Sequence, residues 1–275
     1  MQFIEANARF AGTLCVTAGD ILEALTPATR AVMPVLYGGR AVDLTGIAPE
    51  LADRGILVIE DAAHAFGSWY GERRVGSTGT LTCFSFDPIK NLTCGGGGAL
   101  VPRDPAEAQR ARRIRDLGIT QSRTQRSAAV SYTVETFGLR AHLPAVNAAI
   151  GRAQLARFPA AAERRQQLWR AYREALDGLD GVTLVNVDID RTVPFNCVIR
   201  IETGRDEVFT RLRARGAGVG VHYPPNHVQP AFAAWHRPLP RTELAGRQVL
   251  SLPFHPALGP QDAARVAGLL REALR

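Results

Sequence analysis

The 275 residues, 46% of them hydrophobic, suffice for a sizeable core and one large or two moderate domains. No apolar run approaches the roughly 20 residues needed to cross a bilayer, and the start Met1-Gln2-Phe3-Ile4-Glu5 lacks a signal-peptide layout, so the expected setting is cytoplasmic. A formal charge of +7 raises nucleic acid as a partner, but the arginine clusters at 110–115 and 163–165 are interrupted by apolar positions as on solvated helix faces, and no nucleic-acid motif accompanies them. A small anionic ligand is the better use of that charge.

The first half alternates short apolar runs with helical patterns, as a βαβ layer does. Residues 31–37 predict a buried strand closed by Gly38-Gly39, 47–54 a helix, and 55–61 a second strand ending in Glu60 and Asp61. Residues 81–86 predict a third strand that brings Ser85 and Lys90 to the same edge, where ligands of parallel sheets sit. Residues 104–117 predict a helix capped by Asp104, with Pro105 tolerated in its first turn. Residues 118–142 lack periodicity and predict a long loop or interface excursion. The alanine-rich stretch 144–179 predicts helix broken at Pro159.

Beyond it the texture changes. Strands are expected at 195–201 and 218–223, a helix at 206–215, a Pro-, His- and Trp-rich loop at 224–240 and a closing amphipathic helix at 261–274. The expected division is a large domain over 1–158 and, over 159–275, a linker helix with a small α+β domain. Cys15, Cys83, Cys94 and Cys197 are scattered without CxxC spacing and read as reduced thiols. The histidines show no metal-ligand spacing, so no metal is expected; His222, His227 and other loop histidines are candidate substrate contacts.

Lys90 is the chemical exception. Of 33 basic residues, 32 are arginine and one is this lysine. A primary amine can become neutral and attack a carbonyl to form an imine, which a guanidinium cannot. The alternative is a surface lysine left by chance in an arginine-rich chain. Pyridoxal phosphate requires such an amine, a carboxylate for its ring nitrogen and donors for its phosphate. Lys90, Asp61 and Ser85 could supply these, although a strand-end aspartate also serves commonly as a cap. The glycine run 95–98 has neither Walker nor dinucleotide spacing and reads as a tight turn or close backbone approach.

Several motifs in order along the chain carry a resemblance. They are Thr26-Pro27-Ala28-Thr29-Arg30-Ala31-Val32 with Tyr37-Gly38, Ile59 to Gly67, Gly76-Ser77-Thr78-Gly79, Ser85 to Leu100, Leu143 to Gly151 with Gln154-Leu155, Val221-His222-Tyr223-Pro224, and Leu250-Ser251-Leu252-Pro253. Together they resemble the DegT/DnrJ/StrS sugar aminotransferases. The resemblance implies the fold-type I pyridoxal-phosphate architecture: an α/β large domain with a mostly parallel sheet, and a small α+β C-terminal domain. It implies that Lys90 is the Schiff-base lysine and proton shuttle, that Asp61 pairs with the ring nitrogen, that Ala63 packs on the ring face, that His64 reaches the 3-hydroxyl, and that Ser85 binds phosphate. Arg140 stands where the family has an asparagine that reaches the neighbouring subunit's phosphate, and Gly96 where it has a glutamate. His222, Tyr223 and His227 are the expected substrate contacts.

The implied reaction moves an amino group from glutamate or glutamine to a keto sugar, nucleotide-linked, or to a cyclitol ketone, in a homodimer. The family's sugar dehydratases carry histidine in place of the lysine, so Lys90 argues against that chemistry. The resemblance also leads to an expectation about the front of the chain: family members carry a further N-terminal segment before the strand that Phe3-Ile4-Glu5 resembles, with part of the phosphate cup. Without it, several charge-assisted hydrogen bonds of about 1.5–3 kcal/mol each would be missing. The alternative expectation is therefore a shortened relative without autonomous catalysis, a subunit or binding protein completed by a partner chain.

Overall fold

The computed structural model describes residues 12–275; the strand expected at Phe3-Ile4-Glu5 lies outside them. Thr17 opens the first helix, α1 (Ala18–Ala24), as a capping box: its hydroxyl accepts from the Asp20 amide, and the Asp20 carboxylate accepts from the Thr17 amide. Three elements then build the first sandwich layer: β1 (Ala31–Val32), α2 (Ala48–Asp53) and β2 (Leu57–Asp61). Ile21, Val32, Ile47, Leu51 and Ile56 form the apolar cluster between them.

The strand expected over 31–37 is shorter than its apolar run. Pro34 has no amide to donate, so the ladder with β2 stops after Val32 and resumes as a single bridge between Val35 and Asp61. A small hairpin, β3 (Trp69–Tyr70) and β4 (Arg73–Arg74), precedes β5 (Leu81–Ser85) and β6 (Gly98–Val101). The main sheet has the order β1-β2-β5-β6; β1, β2 and β5 are parallel and β6 runs antiparallel to β5. Its parallel strands all end on one edge, where residues 61–64 and 85–90 follow.

Helix α3 (Pro105–Arg115) starts as expected, with the Asp104 carboxylate accepting from the Glu107 amide at 2.8 Å. The excursion 118–142 contains one short helix, α4 (Arg123–Ser127), and isolated bridges between residues 116 and 140 and between 119 and 134. Helix α5 runs unbroken over Ala145–Leu176, which corrects the break expected at Pro159. Proline removes one helical donor, yet Pro159 is exposed, so the carbonyl it leaves unpaired faces water. Burial of Phe158 before it and of Leu168, Trp169, Tyr172 and Leu176 after it holds both halves in line.

The C-terminal elements are β7 (Val182–Leu184), β8 (Cys197–Ile201), α6 (Arg205–Ala214), α7 (Pro240–Gln248), β9 (Val249–Leu252) and α8 (Pro260–Ala273). The three strands form an antiparallel sheet in the order β7-β8-β9. Residues of α5, α6 and α8 cover it with the largest apolar cluster among the described residues, which includes Trp169, Tyr172, Ile199, Leu212, Leu250 and Leu270. The strand expected at 218–223 is reduced to one bridge, Gly220 with Ser251. Pro224 and Pro225 bring no amides to extend it. The loop 224–240 is tightened by two 3-10 turns, Asn226–Val228 and Pro230–Trp235.

Candidate active site

Alternation along β2 separates its two terminal carboxylates. Glu60 is buried on one face, where it accepts from the Tyr70 hydroxyl at 2.9 Å and the Thr82 hydroxyl at 2.7 Å. This corrects the expectation that both carboxylates line the ligand edge: Glu60 braces the sheet. Asp61 faces the other way, accepts from the Ala63 amide at 3.0 Å, and lies close enough to influence Lys90, Cys83 and Tyr223 electrostatically.

Lys90 closes a turn after β5, its amide donating to the Asp87 carbonyl at 3.0 Å. Its Nζ lies 4.9 Å from the centroid of the Phe195 ring. Partial burial lowers the pKa of its amine, against the opposing pull of Asp87 and Asp61. Ser85 ends β5, and its hydroxyl accepts from the Asp87 amide at 3.4 Å.

The glycine run behaves as a tight turn. Gly97 has φ of 139°, and a Cβ on Gly98 would lie 2.5 Å from the Phe84 carbonyl oxygen, so β5 and β6 could not close. Asn147, in the first turns of α5, fastens this turn by donating to the carbonyls of Cys94 at 2.9 Å and Gly96 at 3.1 Å.

His64 is buried and stacks on Phe195, with ring centroids 3.9 Å apart and an interplanar angle of 10°. Burial, then the charges of Lys90 and His222, push its pKa down to about 3, so the imidazole is neutral at ordinary pH. The Gly38 amide donates to its Nδ1 at 3.3 Å. A neutral ring that accepts at Nδ1 carries its proton at Nε2, which donates to the Tyr223 hydroxyl oxygen at 3.4 Å. Ala63 lies between Asp61 and His64, and its short side chain leaves room on that edge.

His222 reaches the same edge from the C-terminal half. Its Nδ1 shares a hydrogen bond of 2.8 Å with the Ser251 hydroxyl, its carbonyl accepts from the Tyr37 hydroxyl, and burial followed by the Lys90 charge lowers its pKa. Tyr37 belongs to a 3-10 turn, Tyr37–Gly39. That turn needs glycine at position 38, where φ is 66° and a Cβ would lie 2.1 Å from Arg40 Nη1.

The expected residues therefore divide. Asp61, His64, Lys90, His222 and Tyr223 are linked by hydrogen bonds or charge at one edge, with Ala63 and Ser85 on the same strand ends. His227 is 1% exposed and turned into its own loop, hydrogen-bonded to Glu243 of α7 at 3.2 Å and stacked on His236. Arg140 is exposed on the 118–142 excursion, its backbone bridged to Asp116.

Phe195 and Asn91 are given no role by the sequence reading, and Arg165, expected with its cluster on a solvated helix face, is instead 4% exposed because its guanidinium turns inward onto backbone carbonyls. Asn91 Nδ2 donates to the His64 carbonyl at 3.2 Å and the Val193 carbonyl at 3.0 Å. Buried Arg165 of α5 donates to the carbonyls of Pro194 at 3.3 Å and Phe195 at 3.2 Å. Nothing at the level of local pattern marks these three, because each acts across a long separation in sequence.

This fold and lysine-bearing strand edge define a fold-type I transferase. The chain belongs to the DegT/DnrJ/EryC1/StrS aminotransferase family, whose pattern it matches over residues 6–271. It is 40% identical to the dTDP-3-amino-3,4,6-trideoxy-alpha-D-glucose transaminase of Streptomyces venezuelae over 257 residues, covering 91% of this chain and 65% of that protein. Among solved structures it is similar to S. venezuelae DesV in complex with a ketimine intermediate (37% identity, TM-score 0.86, 96% of this chain and 70% of that one). The aminotransferase TlmJ of Streptoalloteichus hindustanus is a second (33% identity, TM-score 0.89, 99% and 72%).

The family is pyridoxal-phosphate-dependent. The donor set fits that cofactor: an amine of lowered pKa, a strand-end carboxylate, a neutral imidazole whose Nε2–H reaches the Tyr223 hydroxyl only at 3.4 Å, and a serine hydroxyl share one edge.

Proposed function

We propose that this chain provides the lysine-bearing site of a pyridoxal-phosphate-dependent aminotransferase that moves an amino group from glutamate or glutamine to a nucleotide-linked keto sugar or a cyclitol ketone. The observation that carries this reading is the pairing, at the ends of β2 and β5, of the sole lysine with Asp61, the amine's pKa being lowered by burial. When bound, pyridoxal phosphate supplies the aldehyde and the electron-withdrawing ring that allow a C–H bond beside nitrogen to ionise.

Lys90 is the residue that would hold the aldehyde and afterwards carry a proton at Nζ. Its lowered pKa leaves more neutral amine for the attack than an exposed lysine has. The Asp61 carboxylate would keep the ring nitrogen protonated. Ala63 would leave space for the ring face, and His64 would present its Nε2–H to the 3-oxygen. Ser85 would bind phosphate, with Arg140 serving the neighbouring subunit. His222 and Tyr223 would meet the substrate at the rim, whereas His227 would act through the loop it braces.

The dTDP-sugar in the name of the S. venezuelae relative supports a nucleotide-linked substrate, and arginines suit its diphosphate. A homodimer is part of the same reading. It is supported by apolar side chains between residues 130 and 155, among them Val130, Phe137 and Val146, that stand exposed.

The test is amino transfer itself. With pyridoxal phosphate, L-glutamate or L-glutamine and a dTDP-linked keto sugar, the chain should release the 2-oxo acid in step with amino-sugar formation, and Lys90→Ala should release none. Absence of turnover with every donor and ketone would overturn the reading.

A further inference from the structure

Phe195 belongs to no motif read from the sequence, yet the structure spends four contacts on holding it. Its amide donates to the Gly38 carbonyl at 3.1 Å, and its carbonyl accepts from Arg165 at 3.2 Å. Its ring is stacked on His64 at 3.9 Å and lies beneath Lys90 Nζ at 4.9 Å. The preceding residue but one, Val193, is tied down as well: its amide donates to the Ser68 hydroxyl and its carbonyl accepts from Asn91, the neighbour of Lys90. Arg165 has no carboxylate for partner in these contacts and spends its charge on the carbonyls of Pro194 and Phe195.

We propose that Phe195 is a positioning residue for Lys90: its ring is the shelf over which the amine rests, and Gly38 and Arg165 hold that shelf in place through the backbone. The proposal rests on the reading of Lys90 as the reacting amine. An ammonium over an aromatic face is attracted by the ring quadrupole, so the shelf gives a flexible side chain a preferred location near Asp61 and His64. The charged and titratable groups around the amine are Asp61 at the end of β2, Asp87 after β5, and the imidazoles of His64 and His222. Both ring contacts of Phe195, the stack on His64 and the face under Lys90, distinguish a phenyl from an aliphatic side chain of similar size, and the Lys90 signal reads the second directly.

Because the chain has one lysine, labelling with [13Cε,15Nζ]-lysine gives a single side-chain signal that reports on Lys90 alone. In the full chain before cofactor is added, that signal should lie upfield of a free lysine, shifted by the ring current. Phe195→Leu should return it to the free position and lower its titration midpoint by roughly 0.4–0.7 pH unit, the equivalent of an ordinary cation–π contact. Phe195→Tyr should keep both. A wild-type signal at the free position, or a Phe195→Leu signal identical to wild type in shift and midpoint, would overturn the proposal. Should Phe195→Leu not fold, the wild-type shift and the Tyr variant decide. Adding pyridoxal phosphate and borohydride to the same samples separates the two ideas. A ring-shifted signal with no trapped adduct would refute Lys90 as the reacting amine, and an adduct with an unshifted signal would refute the shelf.

Discussion

His64 is kept neutral by burial, and that choice has a cost at low pH. Its folded pKa, about 3, lies below the ordinary 6.5, so between those values the unfolded chain binds a proton that the folded chain refuses. Stability therefore falls as pH drops through that window, by up to about 1.4 kcal/mol per pH unit from this group. His64→Gln keeps a hydrogen-bonding side chain and removes the titration. Thermal melts at pH 7 and pH 4.5 should show a smaller loss of Tm in the variant than in the wild type; equal losses would mean that His64 is protonated in the fold. At this scale the sequence disclosed the residues whose chemistry is rare: Lys90 by being alone among arginines, and Asp61 by ending an apolar strand. The strand pattern by itself did not disclose which of Glu60 and Asp61 faces the ligand edge, because that depends on which face of β2 meets Tyr70 and Thr82; the motif resemblance pointed to Asp61. Phe195 was hidden for a similar reason, its partners Gly38, His64 and Lys90 lying more than 100 residues earlier.

Among the elements, β2, β5 and α8 follow their apolar patterns closely, and Asp104 caps α3 as its position suggests. Local rules failed where tertiary packing outweighed them. Pro159 signals a break, but the surrounding helix is fastened by Asn147 to the glycine turn, by Phe158 against Gly67, and by its C-terminal half to the sheet β7-β8-β9. Since the proline is exposed and only removes a donor, Pro159→Ala should restore a helical bond and stabilise the chain by about 1–3 kcal/mol, read as a rise in Tm of several degrees. A fall in Tm would show that the ring is needed for packing. The missed helix α7 and strand β9 are continuous with each other at 248–249, so no loop marks the change from one period to the other.

At the scale of the molecule, two facts stand together. The chain spans 65% of the length of the S. venezuelae transaminase it matches, and apolar residues of the 118–142 excursion and the first half of α5 stand in the open, Phe137 fully so and Val146 at 72%. Surfaces of that kind are normally covered by another protein surface. If a second copy covers this one, sedimentation velocity should find twice the chain mass, and the double change Phe137→Glu with Val146→Glu should halve it. A monomer in both would contradict the dimer.

Capture of the cofactor's aldehyde by Lys90 can be read by incubating the intact chain with pyridoxal phosphate, reducing with borohydride and sequencing the peptides by mass spectrometry. One pyridoxyl group per chain is expected, on Lys90, and none in Lys90→Ala. An intact chain without the group, or a Lys90→Ala chain that carries it equally, would rule out Lys90 as the attachment point.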